Sequence, residues 1–431
     1  MLRKHGYCRL CRSPLVSCVI ALPPIPVGEH YAEDPYSDDV RYPCDIYQCL
    51  TCGVVQTQDD IDEEFLWADY TYFSGQSEGI KNHFKKISSQ ILRTADRLQI
   101  DVKTVFDIGS NDGSLLKAFS ESRDLVVWGV DPAETVVKAA NESGIETYKN
   151  LFNTETLKSL PENRRAADVI CAFNVFAHSN DLPDMLTAVK RMLKPEGLFV
   201  FEVQYLVDIF EKNILGTFFH EHMVHYSITT VERFLKNHNL KIISACRNSI
   251  QMGSVVVFVV HDGKDCQPLP EVDQLKSLES ELCINDLKWG QTMMTRLAEN
   301  RDKAFNIINS ANSRGWKISA YGAARSGPSL LIFHNIDKFI SAIYDDHWMK
   351  VGKYTPFKNI RVEPSQNLGM EEVPEIAVIT AYIHAEAIIT QNMNFLKQGG
   401  KFLLLWPDVV EVTFNNFEEV RRICREVRTK Y

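Results

Sequence analysis

The sequence predicts an α/β protein in three parts: a small cysteine-stapled module, a central domain on a mostly parallel sheet, and a second α/β domain at the C-terminus. Three observations predict it. Six of the 11 cysteines (Cys8, Cys11, Cys18, Cys44, Cys49 and Cys52) crowd the first 52 residues. Residues 104–260 alternate short apolar strands with helical patterns, the signature of a helix-wrapped parallel sheet. A second strand, glycine loop and helix starts near Lys317.

A chain of 431 residues is long enough for about three domains at roughly 150 residues each. The divisions expected are a zinc-binding module over 1–70, a cofactor-binding domain over 71–265, a helical connector over 266–315 and a C-terminal Rossmann-like domain over 316–431. With 45% apolar and 24% charged residues the composition is that of a folded protein. A formal charge of −9 provides no basic field for phosphates, so a nucleic-acid partner is not expected. No apolar run approaches the roughly 20 residues that span a bilayer, and no signal-type block precedes the first cysteines. The chain is therefore expected to be cytoplasmic, without a membrane partner, as a monomer or small homo-oligomer.

Residues 1 to about 65 lack helical periodicity and are rich in Pro, Tyr and Cys, a composition that needs a staple. Cys8-x-x-Cys11 and Cys49-x-x-Cys52 put paired thiolates on two tight turns, which together suit a tetrahedral Zn²⁺ site. Four thiolates fill the coordination shell, so the metal is expected to be structural. Cys18 and Cys44 are substitutes for these ligands, and free thiols or a redox pair are the other readings.

Phe84, Ile87, Ile91 and Leu92 recur at helical spacing and predict an amphipathic helix leading into the central domain. The strands TVFDIG, VVWGVD, ADVICAFNV and GLFVFEV follow, and KIISACRN with GSVVVFVV predicts an antiparallel finish. The first strand runs into a tight loop, Asp107-Ile-Gly109-Ser-Asn111-Asp-Gly113, where a ligand can approach the backbone. The next strand ends at Asp131, 22 residues after Gly109, where a carboxylate can accept both hydroxyls of a ribose. Together they predict an adenosine-containing cofactor. The loop lacks both G-x-G-x-x-G and the Lys-Ser/Thr of a phosphate-cradling loop, which disfavours a dinucleotide or ATP.

The Asp107–Gly113 loop, Asn174 at a strand end and the Lys194-Pro-Glu-Gly197 turn resemble class I S-adenosylmethionine methyltransferases. Further segments are similar to a narrower family, the zinc-containing sugar C-methyltransferases acting on nucleotide-linked keto-deoxyhexoses. These segments are the two Cys pairs, Asp69-Tyr70-x-Tyr72-Phe73-Ser74, Asn174-Val175-x-Ala177-His178, Phe218-Phe219-His220-Glu221-His222 and Tyr321-Gly322-Ala323-Ala324, in order along nearly the whole chain.

The resemblance implies methyl transfer from S-adenosylmethionine to C3 of a dTDP- or GDP-4-keto-6-deoxyhexose. Such chemistry needs a general base beside the carbon and donors for an enolate oxygen. By resemblance, His222 is the base, Glu221 orients or polarises the site and His178 donates to the sugar or enolate. The family often has Tyr where this chain has Phe219, which leaves Tyr72 or Tyr226 as the replacement donor. His225 stands where an aromatic is common. Cofactor contacts are expected from Asp107, Gly109, Asn111, Gly113, Asp131 and Asn174, and substrate contacts from Tyr70, His220, Tyr226, Tyr321, Arg325 and Lys353.

In the C-terminal domain, Tyr321-Gly-Ala-Ala-Arg325-Ser-Gly327 is expected to cradle a nucleotide sugar, with Arg325 on its pyrophosphate. Asp345 looks like a ribose partner, and Lys350, Lys353 and Tyr354 are further contacts. Four rival readings remain: an O- or N-methyltransferase on the same scaffold, a non-catalytic nucleotide-sugar-binding protein, a nicotinamide-dependent dehydrogenase, and histidines that hold a metal or are structural.

Overall fold

A computed structural model describes residues 3–27, 30–35, 40–62, 66, 73–371 and 374–430. In the N-terminal module, β1 (Arg3–Lys4) pairs with β5 (Asp59–Asp60), while β2 (Val16–Ile20), β3 (Ile46–Cys49) and β4 (Val55–Thr57) form an antiparallel meander. Little apolar surface lies between such short strands, which is why the module depends on its cysteine cluster.

The helix Glu78–Arg97 leads into the central domain and buries Phe84, Ile87, Ile91 and Leu92. Ser77 caps it by accepting from the Ile80 N–H. Behind it lies a seven-stranded sheet of β6 (Thr104–Ile108), β7 (Val126–Asp131), β8 (Thr147–Lys149), β9 (Ala167–Phe173), β10 (Leu193–Gln204), β12 (Leu240–Asn248) and β13 (Ser254–His261). Its order is β12-β13-β10-β9-β6-β7-β8, parallel except for β13, which is antiparallel to both neighbours. Apart from its two edge-most parallel strands, side chains are buried on both faces, which explains the near-continuous apolar runs. The Lys194–Gly197 turn is absorbed into β10 as an irregularity between Leu193 and Leu198.

β11 (Val224–His225) leaves the central sheet and pairs with β4, so the cysteine module's sheet takes its fourth strand from the central domain. Helices Pro270–Glu281 and Lys288–Ser313 follow. Trp289, in the second, donates to Gln48 of β3 at 3.1 Å.

The C-terminal sheet has β14 (Lys317–Tyr321), β15 (Ala342–Tyr344), β16 (Val362–Glu363), β17 (Glu375–Ile379), β18 (Lys401–Leu404) and β19 (Val410–Val412). Its order is β16-β15-β14-β17-β18-β19, parallel but for β19. The short edge strands β16 and β19 have no separate signal in the sequence, because two or three residues cannot display a period. The architecture is thus the one expected: a cysteine module and two Rossmann-like α/β domains. Among the described residues no helix is long and apolar enough to cross a membrane.

Candidate active site

The four paired cysteines converge. Cys8 Sγ lies 3.5 Å from Cys52 Sγ and Cys11 Sγ lies 3.6 Å from Cys49 Sγ, with all four sulfurs within 4.8 Å of one another. Thiolates on a tetrahedral zinc, each about 2.3 Å from the metal, stand about 3.8 Å apart, so this donor set fits the ion. Backbone N–H groups of Thr51 and Cys52 point at Cys49 Sγ from 3.4 and 3.5 Å. Cys18 is exposed, and Cys44 is buried against Ile25, Phe219 and Ile332. The cluster therefore needs neither substitute. With four sulfur ligands the zinc is structural.

A cleft of about 1120 Å³ opens beyond the carboxyl ends of β6, β7 and β9. Gly109, Asn111 and Gly113 all take positive φ (65°, 50° and 77°), and a Cβ on Gly109 would stand 2.3 Å from Val175 Cγ2. That close approach excludes any larger residue from the loop's first turn. The Asn111 N–H donates to Asp131 Oδ2 at 3.0 Å and the Ala133 N–H to Oδ1 at 2.9 Å. Burial pushes the Asp131 carboxyl up to about 6.

Gly109, Asn111, Asp131, Asn174 and His178 all line the cleft. Gly113 sits behind it as the left-handed cap of helix Ser114–Ser122. Asp107 is buried and does not line it; its Oδ1 has no hydrogen-bond partner among the described residues, and burial beside Asp131 holds its carboxyl well above the usual range. A backbone turn that admits close approach and a ribose-type carboxylate in the cleft's lining fit S-adenosylmethionine.

The Phe218–His222 segment lies beside this cleft. His178 Nδ1 faces the Glu221 carbonyl at 2.6 Å, and the His178 and His222 rings are 5.1 Å apart. His222 Nδ1 lies 2.8 Å from the Thr217 carbonyl and 3.1 Å from its Oγ1. A carbonyl accepts only, so Nδ1 carries the hydrogen and Nε2 the lone pair. Thr217 in turn donates to Gln204 Oε1. Phe219 stacks on His222 at 4.0 Å, and His225 adds a third imidazole 6.3 Å from it. Burial holds the His178 imidazole at about 4, that of His225 at about 3 and that of His222 well below its ordinary value. The three rings are neutral acceptors at neutral pH.

Several expected contacts lie elsewhere. Tyr226 is buried and donates to the Phe176 carbonyl at 2.8 Å, so its hydroxyl is turned from the cleft. His220 turns toward the Tyr42 carbonyl at 3.4 Å. Neither His220 nor His222 joins a group of three or more metal-ligating side chains among the described residues. Tyr321 is buried against Phe402, inside the C-terminal core. Lys353 pairs with Glu33 at 3.2 Å, while Tyr354 forms a bridge with Ala32. The Asp345 oxygens accept from the Ala323 and His347 N–H groups at 2.6 and 2.7 Å, so this carboxylate braces its own loop. Tyr70 and Tyr72 lie outside the described residues.

Sequence reading missed one wall of the cleft. His5, Tyr7, Arg12 and Asp60 of the cysteine module line it. Arg12 lies 5.2 Å over the Tyr7 ring and pairs with Asp181 at 2.9 Å. No local pattern announces a contact made by docking one domain on another. Gln251, also in the lining, has φ 51°, a backbone state the sequence gives no sign of.

Three family models match the chain in succession: a zinc binding domain over residues 8–67, a methyltransferase domain over 80–245 and a C-methyltransferase C-terminal domain over 249–407. The chain is 27% identical over 415 residues to C-methyltransferase NovU of Streptomyces niveus, covering 95% of this chain and 97% of that protein. It is 30% identical over 118 residues to malonyl-[acyl-carrier protein] O-methyltransferase 1 of Coxiella burnetii, which covers 27% of this chain and 39% of that one. Among solved structures it is similar to an S-adenosylmethionine-dependent methyltransferase from Clostridium acetobutylicum at 16% identity and a TM-score of 0.34, covering 47% of this chain and 96% of that one.

Proposed function

We propose that this chain, which belongs to the zinc-containing C-methyltransferases, methylates C3 of a nucleoside-diphosphate 4-keto-6-deoxyhexose. S-adenosylmethionine supplies an electrophilic methyl group activated by its sulfonium charge. Gly109, Asn111, Asp131 and Asn174 would hold that cofactor, with Gly113 shaping the loop and Asp107 beneath it. Zinc keeps the cysteine module folded and takes no part in the transfer.

The observation that carries the reading is a pair of neutral imidazoles, His178 in the cleft's lining and His222 5.1 Å from it outside that lining, each with Nδ1 against a backbone carbonyl. A 4-keto group acidifies the C3–H bond, and His222 Nε2 is oriented as a lone pair able to take that proton. Burial weakens the free imidazole as a base, but the imidazolium formed in this step is stabilised by the enolate formed with it. His178, which lines the cleft with its Nδ1 hydrogen spent on the Glu221 carbonyl, would face the sugar as an acceptor rather than as the donor that the resemblance implies. The C4 ketone acidifies both of its neighbours, C3 and C5, and the family resemblance selects C3.

Mass spectrometry of the enzyme with S-adenosylmethionine and a panel of dTDP- and GDP-linked 4-keto-6-deoxyhexoses tests the reading. A sugar that gains one methylene, attached to ring carbon in the fragment ions, is the expected product. A methyl found on oxygen or nitrogen would overturn it.

A further inference from the structure

We propose that Arg325, carried on the C-terminal domain, holds the enolate oxygen of this reaction, so that the active centre is shared by two domains. The assignment rests on the C-methylation reading above. It starts from the loop that carries Arg325, which is braced on every side. Asp345 fixes the Ala323 N–H, while the Ala323 carbonyl accepts from Tyr31 Oη and from the buried Lys350 Nζ, each at 2.9 Å. Thr380 Oγ1 donates to the Tyr321 carbonyl at 3.0 Å, and a Cβ on Gly322 would meet Ala381 Cβ at 2.4 Å. Asp345 and Lys350, two of the groups expected to meet a nucleotide here, are spent on holding the loop's shape.

What this rigid loop presents to the central domain is a guanidinium. Arg325 Nε lies 3.6 Å from Glu221 Oε1, and Arg325 Cζ lies 6.0 Å from the centre of the Phe219 ring that stacks on His222. Glu221 is 2% exposed, so its charge requires a close counter-ion. The same cation is near enough to help hold both His178 and His222 below the ordinary imidazole range, a smaller effect than their burial. A guanidinium stays charged at every working pH, whereas the imidazoles around it are neutral. The centre therefore places a guanidinium, paired with Glu221, across the Phe219 ring from the base, and its remaining N–H groups are donors for the negative charge that develops.

The balance of the step is simple. The C3–H electron pair becomes the π pair of a new C3=C4 bond while the proton goes to His222 Nε2, and the C4 carbonyl π pair moves onto oxygen beside Arg325. When the C3–methyl bond forms and the sulfur–methyl bond breaks, the carbonyl is restored and the sulfonium charge is discharged.

A phosphate contact would act equally on bound substrate and transition state, whereas an enolate contact acts only as charge develops. The test compares wild type, R325Q and R325K in turnover and in exchange of the C3 hydrogen with D₂O, the latter with S-adenosylhomocysteine in place of the methyl donor. R325Q is expected to lose about 10²–10³-fold in both kcat and exchange. Its KM for the sugar and its affinity for S-adenosylhomocysteine should stay within about 3-fold, which also reports a folded central domain. R325K should recover part of both rates. Retained kcat and exchange with a KM raised about tenfold or more would overturn the assignment in favour of a phosphate contact. Should wild type neither exchange nor methylate any keto sugar, it is the C-methylation reading that fails.

Discussion

Lowering the pH toward 5 should weaken cofactor binding through Asp131. The carboxyl is held at about 6 by burial, and each of its oxygens already accepts one backbone N–H. Each keeps a second lone pair for a ribose hydroxyl, but only while the group is ionised. The binding form is the carboxylate, so affinity is complete well above pH 6 and is lost as pH falls through it. With a single titrating group the apparent Kd is multiplied by one plus the ratio of protonated to ionised Asp131. That is about 2-fold near pH 6, about 10-fold near pH 5 and almost nothing at pH 7.5. Asp131→Asn never ionises. It should bind about 10–150-fold more weakly at pH 7.5, the equivalent of one charge-assisted hydrogen bond of about 1.5–3 kcal/mol. Its profile between pH 5 and 7.5 should be flat. Calorimetry with S-adenosylhomocysteine, which carries no sulfonium charge, measures both. A wild-type affinity constant over this range, or an acid loss that survives in D131N, would refute the reasoning.

Two further outcomes follow from the same geometry. Cys49→Ser should abolish zinc binding and lower Tm, because the cage staples β3, while β4 beside it holds the strand two residues from His222; a full equivalent of zinc in the purified variant would contradict this. Gly109→Ala should cost about 1–2 kcal/mol for its left-handed backbone, with further loss from the 2.3 Å approach to Val175. Titration with S-adenosylhomocysteine should therefore show a Kd raised about 10-fold or more, since Val175 lines the cleft; an unchanged Kd would contradict it.

The parts of this molecule visible in the sequence are those whose physics is local. The two Cys-x-x-Cys turns, the Gly109 loop and the carboxylate ending β7 each report a requirement of their own backbone: thiolates on tight turns, positive φ, an acceptor at a strand end. The long buried strands could be read from apolar runs, whereas β16 and β19 were too short to show any. Tertiary placement was not legible. Tyr226 reads as a donor in the sequence and turns out to be spent on the Phe176 carbonyl, and Asp345 reads as a ribose partner and braces Ala323. Conversely, His5, Tyr7 and Arg12 are ordinary residues between and beside cysteines until the module docks over the cleft. The tautomer of His222 depends on the Thr217 carbonyl five residues away, a contact that no spacing rule predicts.

In the proposed reaction an imidazole takes a hydrogen from sugar carbon before the methyl arrives. That step is tested most directly with a 4-keto-6-deoxyhexose nucleotide deuterated at C3, turned over with S-adenosylmethionine and analysed by mass spectrometry, for wild type and His222→Gln. The expected product has gained a methyl and lost the deuterium, with turnover at least about 100-fold slower in H222Q. A methylated product that keeps its C3 deuterium would rule out proton removal from C3, and an H222Q variant as fast as wild type would rule out His222 as the base.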